Sequence, residues 1–158
     1  MGSHYSNVQN PETVGPCAEA WAKHLIKKLK PKTGEQKKYP VLVYTGMSGI
    51  GAATVLMMKL HGLDPDFKFG MMYVRKDHED SHGTMIEHNT ESGDGLKTVY
   101  VFVDDFICGG GTYARAMTAV YKQFHRGLVN KFKSRMTMVV LMNYSVENTK
   151  TEQECEYF

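Results

Sequence analysis

The 158-residue chain is long enough to bury a core as one domain, and its formal charge of +2 favours neither nucleic acid nor an acidic partner. Three scattered cysteines (Cys17, Cys108, Cys155) lack metal-ligand spacing and fit a reducing, cytoplasmic compartment. No apolar run approaches the roughly 18 residues of a membrane span, and no signal-peptide h-region is present, so no membrane partner is expected.

Met1-Gly2-Ser3-His4-Tyr5-Ser6 formally fits a myristoylation pattern but reads as the remnant of an expression tag. Residues 1–16 are polar, carry Pro11 and Pro16, and are expected to be a flexible arm. Residues 17–158 then form a single domain with its core at about 40–142. Ala18, Trp21, Ala22, Leu25, Ile26 and Leu29 recur at helical spacing, which predicts an amphipathic helix from Ala18 to Leu29, stopped by Pro31. Its lysines, with Lys32, Lys37 and Lys38, are the densest positive cluster and read as a solvated face.

Val41 to Tyr44 is the first expected core strand, followed by Thr45-Gly46-Met47-Ser48-Gly49-Ile50-Gly51 and a helix from about Ala52 to Leu60. A glycine-rich turn between strand and helix suits an anion, because free backbone N–H groups and the helix dipole point at it. The turn looks like that of short-chain dehydrogenases but is one residue short. No tyrosine has a lysine four positions later, and a Walker-type lysine is also missing.

Phe67 to Val74 is the next expected strand, leading into the polar segment Arg75-Lys76-Asp77-His78-Glu79-Asp80-Ser81-His82-Gly83. His78 to His82 matches HExxH, with His88 where a third zinc ligand of the metzincins would stand. That motif needs a packed helix, and this segment has no apolar face for one, so zinc hydrolysis is not expected.

After a turn-rich stretch from His88 to Lys97, Tyr100 to Val103 is a β-branched and aromatic run that reads as a buried strand. Asp104 and Asp105 follow, then Cys108-Gly109-Gly110-Gly111-Thr112, then helical spacing from Tyr113 to Phe124. The glycine loop at a helix start suits a phosphate. The two carboxylates repel one, and suit hydroxyl groups or a hydrated metal ion beside it. Met136 to Met142 is a further buried strand, with Asn143-Tyr144-Ser145 at its carboxyl end. The eleven methionines read as core filling.

Alternating strands and helices with ligand-type turns at strand carboxyl ends predict an α/β fold: a single doubly wound, mostly parallel sheet flanked by helices. The stretch YVFVDDFICGGGT (100–112) resembles the phosphoribosyl-pyrophosphate (PRPP) signature of the type I phosphoribosyltransferases, with Cys108 where the family often has threonine. The resemblance covers about residues 40–142. It implies that Asp104 and Asp105 hold the ribose hydroxyls and Mg²⁺, while Cys108, Gly109, Gly110, Gly111 and Thr112 cradle the 5′-phosphate. Gly46, Met47, Ser48 and Gly49 match the family's pyrophosphate loop. Arg75, Lys76 and His82 look like the catalytic loop of orotate phosphoribosyltransferases, whose second lysine falls here on Glu79 or Asp80.

The implied activity is Mg²⁺-dependent transfer of ribose 5-phosphate from PRPP to a nucleobase-type acceptor with release of pyrophosphate. A homodimer is the expected assembly, and nucleic acid is not expected as a partner. The alternative is a PRPP- or nucleotide-binding regulator that keeps the fold without transfer. The missing loop lysine favours it, as does the little chain left, residues 1–39 and 143–158, to build a hood over the base.

Overall fold

The structure, a computed structural model, describes residues 10–31, 33–76, 84–90, 97–105, 111–124 and 137–140. Five strands are described: β1 (Lys38–Tyr44), β2 (Gly70–Val74), β3 (Ile86–His88), β4 (Lys97–Asp104) and β5 (Thr137–Val140). They form one sheet in the order β3-β2-β1-β4-β5. β1 pairs in parallel with β2 and β4, and β4 with β5, while β3 runs antiparallel on β2. The expected doubly wound, mostly parallel sheet is therefore present.

Two faces of this sheet are covered, as parallel sheets require. On one face lie α1 (Pro11–Leu29) and α2 (Gly46–Leu63), whose Ala18, Leu25, Ala53 and Leu56 pack with Leu42, Val101 and Val103. On the other lies α3 (Gly111–Phe124), whose Ala116 and Val120 pack with Val41, Val43, Phe102 and Val74. Alternate residues of β1 and β4 thus serve opposite cores, which is why both strands read as continuous apolar runs. Pro40 is tolerated inside β1 because pairing with β2 begins only at Val41.

Two helix starts move, the strand expected from Phe67 begins at Gly70, and one strand is unexpected. Residues 11–16, read as part of an arm, are instead the first turns of α1. The Asn10 side chain accepts a hydrogen bond from the Glu12 N–H at 3.0 Å, Pro11 occupies the first helical position, and Val14 is buried. Pro16 deletes one intrahelical bond near the start, a loss that the burial of Val14 and Ala18 offsets. α2 begins at Gly46 rather than near Ala52, so the glycine-rich turn forms the first turns of the helix. β3 falls in a stretch with no strand signal in the sequence. The backbone N–H of Arg75 donates to the Met85 carbonyl at 2.9 Å, and the Arg75 guanidinium pairs with Glu87.

α1 and α2 are tied at the surface by Lys30 Nζ donating to Asp64 at 2.8 Å and by Lys59 donating to Glu19 at 3.2 Å. Exposed pairs of this kind contribute little, and the helices are held chiefly by their shared apolar seam. Among the described residues no helix is long and apolar enough to cross a membrane.

Candidate functional site

β1 leads to α2 on one face of the sheet, and the next strand on its other side, β4, leads to α3 on the opposite face. Chain direction therefore diverges between β1 and β4, and a crevice opens at their carboxyl ends, where open α/β sheets bind ligands. The segments singled out in the sequence at 45–49, 75–76 and 104–105 all belong to strand ends at or beside this crevice.

At the end of β1, Thr45 is the residue preceding the helix and Gly46 turns the chain with φ +66°. That left-handed conformation costs any residue with a Cβ, which explains the glycine. Gly46, Met47, Ser48 and Gly49 open α2, and the first four N–H groups of a helix lack intrahelical partners. No acidic side chain stands in this first turn. Gly49 lies against the end of β4: a Cβ there would sit 3.7 Å from the Val103 carbonyl and 3.9 Å from Asp104 Oδ1. Met47 is 64 % exposed, so only its backbone faces inward duty.

Thr45 is the residue that sequence reading missed. A threonine before a helix ordinarily caps a backbone N–H. Here it makes no capping bond, is only 4 % exposed, and its Oγ1 is buried without a hydrogen-bond partner among the described residues. Buried polar groups are normally satisfied, so an orphan hydroxyl at a helix start indicates a place for a ligand oxygen. Its type and its position before the glycine were the available signal.

At the end of β4, Asp104 and Asp105 are 7 % and 3 % exposed. The Asp105 backbone N–H donates to Asp104 Oδ1 at 2.9 Å. Burial, and after it the neighbouring Asp105 carboxyl, raise the Asp104 carboxyl to about 7 against the opposing pull of the Asp105 N–H and the Lys76 ammonium. Desolvation exceeds the compensation that the protein itself provides.

Lys76 joins the two strand ends. It follows β2, and a Cβ placed on Gly46 would meet its Cε at 3.0 Å and its Nζ at 3.1 Å. The same ammonium acts on Asp104. One cation thus lies over the positive end of α2 while facing the carboxylates of β4. Arg75, expected beside it on a leaving group, is instead buried at 8 % exposure and engaged with Glu87 across the β2–β3 pair. Its neighbour in that role, His82, lies outside the described residues, as does the rest of 77–83. Cys108, Gly109 and Gly110 lie outside them too. Gly111 and Thr112 open α3, whose first turn also lacks an acidic side chain.

The residues fit a divalent cation in one mode only. Two buried carboxylates are hard oxygen donors suited to Mg²⁺, and burial keeps the Asp104 carboxyl raised despite the Lys76 ammonium. No group of three or more His, Cys, Asp or Glu that could hold a metal exists among the described residues. Mg²⁺ would therefore rest on one or two carboxylates, with water and ligand oxygens completing its shell, as is usual for this ion.

No protein-family model matches the sequence, and no curated protein does. Among solved structures, the chain is similar to an orotate phosphoribosyltransferase from Francisella tularensis. The TM-score is 0.49 at 13% identity, over 73% of this chain and 48% of that one. It is also similar to an adenine phosphoribosyltransferase from Leishmania donovani, with a TM-score of 0.39 at 11% identity, over 93% of this chain and 75% of that one. The chain spans about half the length of the first of these. Such similarity is one of chain path alone; the chemistry of the site rests on its own residues.

Proposed function

We propose that the protein transfers the ribose 5-phosphate of PRPP to a nucleobase-type acceptor and releases pyrophosphate. The observation that carries this reading is the convergence of Gly46, Lys76 and Asp104 at one crevice. PRPP carries a phosphate at one end, a pyrophosphate at the other and two hydroxyls between them, so a single crevice must offer both donors and acceptors. The α2 start with Lys76 offers donors to the pyrophosphate, and Asp104 and Asp105 accept from the 2′- and 3′-hydroxyls. The 111–112 start of α3, with Cys108 to Gly110 before it, supplies the 5′-phosphate site.

Departure of pyrophosphate leaves an oxocarbenium-like ribose, so the protein's task is positioning and charge stabilisation, and no side-chain nucleophile is needed. Mg²⁺, when bound, supplies further positive charge to the pyrophosphate oxygens. Lys76 follows the developing charge on the leaving group, and Asp104 and Asp105 orient the ring and favour its positive character. His82, outside the described residues, would be a further cation for the leaving group. The reading is tested by pyrophosphate release from PRPP and Mg²⁺ across a panel of purine and pyrimidine bases.

A second reading, a PRPP-binding regulator without transfer, draws on one specific observation. The Arg75 guanidinium, one of three cations expected on the leaving group, is engaged with Glu87. PRPP binding with no turnover of any base is the outcome that selects it.

A further inference from the structure

A groove of about 840 Å³ runs along α3 and, among the described residues, shares none with the crevice. Met85, Ala114 and Ala119 give it an apolar surface, and Arg115, Lys122 and Gln123 give it donors. Thr118 spends its hydroxyl on the Ala114 carbonyl at 2.8 Å. No carboxylate lines the groove among the described residues. Arg115 decides its chemistry: the Nε is buried and has no hydrogen-bond partner among the described residues. The side chain as a whole is only half-buried, and a guanidinium that lines the groove with one nitrogen unsatisfied favours an oxyanion there, held by the rest of its fork. The volume and apolar surface exceed what an inorganic ion needs and match an organic body attached to that anion.

We propose that this groove is a second binding site, for a small organic anion whose sulfonate, phosphate or carboxylate group sits on Arg115 and whose apolar body lies against Met85, Ala114 and Ala119. Because the expected 5′-phosphate loop ends in the first residues of α3, occupancy of the groove is placed to act on the crevice through one helix.

The test uses the intact protein and 8-anilinonaphthalene-1-sulfonate, an aromatic sulfonate whose fluorescence rises on binding. Saturable binding of one equivalent is expected, at least tenfold tighter than that of the uncharged N-phenyl-1-naphthylamine. Arg115→Gln should weaken it at least tenfold, and Ala114→Trp, at an exposed position, should abolish it by filling the groove, both with unchanged circular dichroism. The comparison of the two dyes needs no variant and decides the matter even where Arg115→Gln fails to fold. Equal binding of charged and uncharged dye, unsaturable binding, indifference to Ala114→Trp, or displacement by PRPP with Mg²⁺ would overturn the proposal.

Discussion

The carboxyl ends of β1 and β4 are neighbours in the sheet but face opposite electrostatic problems. The end of β1 is made of backbone: a left-handed glycine, a helix start without acids and an orphan hydroxyl. It suits an anion without carrying a formal charge of its own. The end of β4 is made of side chains, two carboxylates taken almost wholly out of water. Helix-start N–H groups carry only partial charge and cost less to bury than an ion, whereas burial drives the Asp104 carboxylate towards neutrality. The difference teaches that the crevice is polarised before any ligand arrives, and that Lys76 holds its halves together.

The largest effect expected of breaking this arrangement comes from its acidic half. Replacing Asp104 and Asp105 together by Asn should weaken Mg²⁺-dependent PRPP binding by about a hundredfold or more, since each charge-assisted hydrogen bond contributes about 1.5–3 kcal/mol. Calorimetry with and without Mg²⁺ measures it; undiminished affinity would remove the acids from the site.

Next comes pH. The Asp104 carboxyl is raised from its ordinary value to about 7, so the folded protein binds the proton more tightly than the unfolded chain. Its contribution to stability is therefore fully present below about pH 4 and is lost as pH rises through about 7, by on the order of 4 kcal/mol. Thermal melting from pH 5 to 8 should show that loss in the wild type and not in Asp104→Asn. Lys76→Met should move the loss to higher pH, and Mg²⁺ should stabilise most at the alkaline end. A flat profile for both proteins would contradict the imbalance between desolvation and compensation.

The basic half separates two glycines. Gly46→Ala forces a side chain into φ +66° and displaces the end of Lys76, so it should cost about 1–2 kcal/mol and weaken pyrophosphate binding about tenfold. Gly49→Ala meets only ordinary contacts and should change stability by no more than about 0.5 kcal/mol. Equal losses at both positions would mean that Lys76 and the left-handed turn do not define the pyrophosphate end.

The smallest effect is the most specific. Thr45→Val removes an unsatisfied hydroxyl and keeps its shape, so the free protein should gain up to about 1 kcal/mol while pyrophosphate binding falls about fivefold. A variant that is less stable and binds equally well would make Thr45 a packing residue only.

Much of this was legible from residue order. The apolar runs at 41–44 and 100–103, the acids at 104–105 and the helical spacing after Gly111 are local signals, and the structure places a strand, a buried carboxylate pair and a helix there. The antiparallel β3 was not legible, because Ile86-Glu87-His88 is too short to show a period and is held by Arg75 and Met85 from outside itself. The early start of α1 was hidden by two prolines whose cost depends on where in a helix they fall.

The sequence alone determined which segments are strands and helices and which carry acids or glycines, since periodicity and φ requirements are properties of neighbouring residues. Only the tertiary structure decided the partners. Whether Arg75 faces a ligand or Glu87, whether Thr45 caps or waits, and whether Lys76 reaches both Gly46 and Asp104 depend on elements distant in sequence. Burial then sets the strength of each charge, and burial exists only once the sheet has assembled.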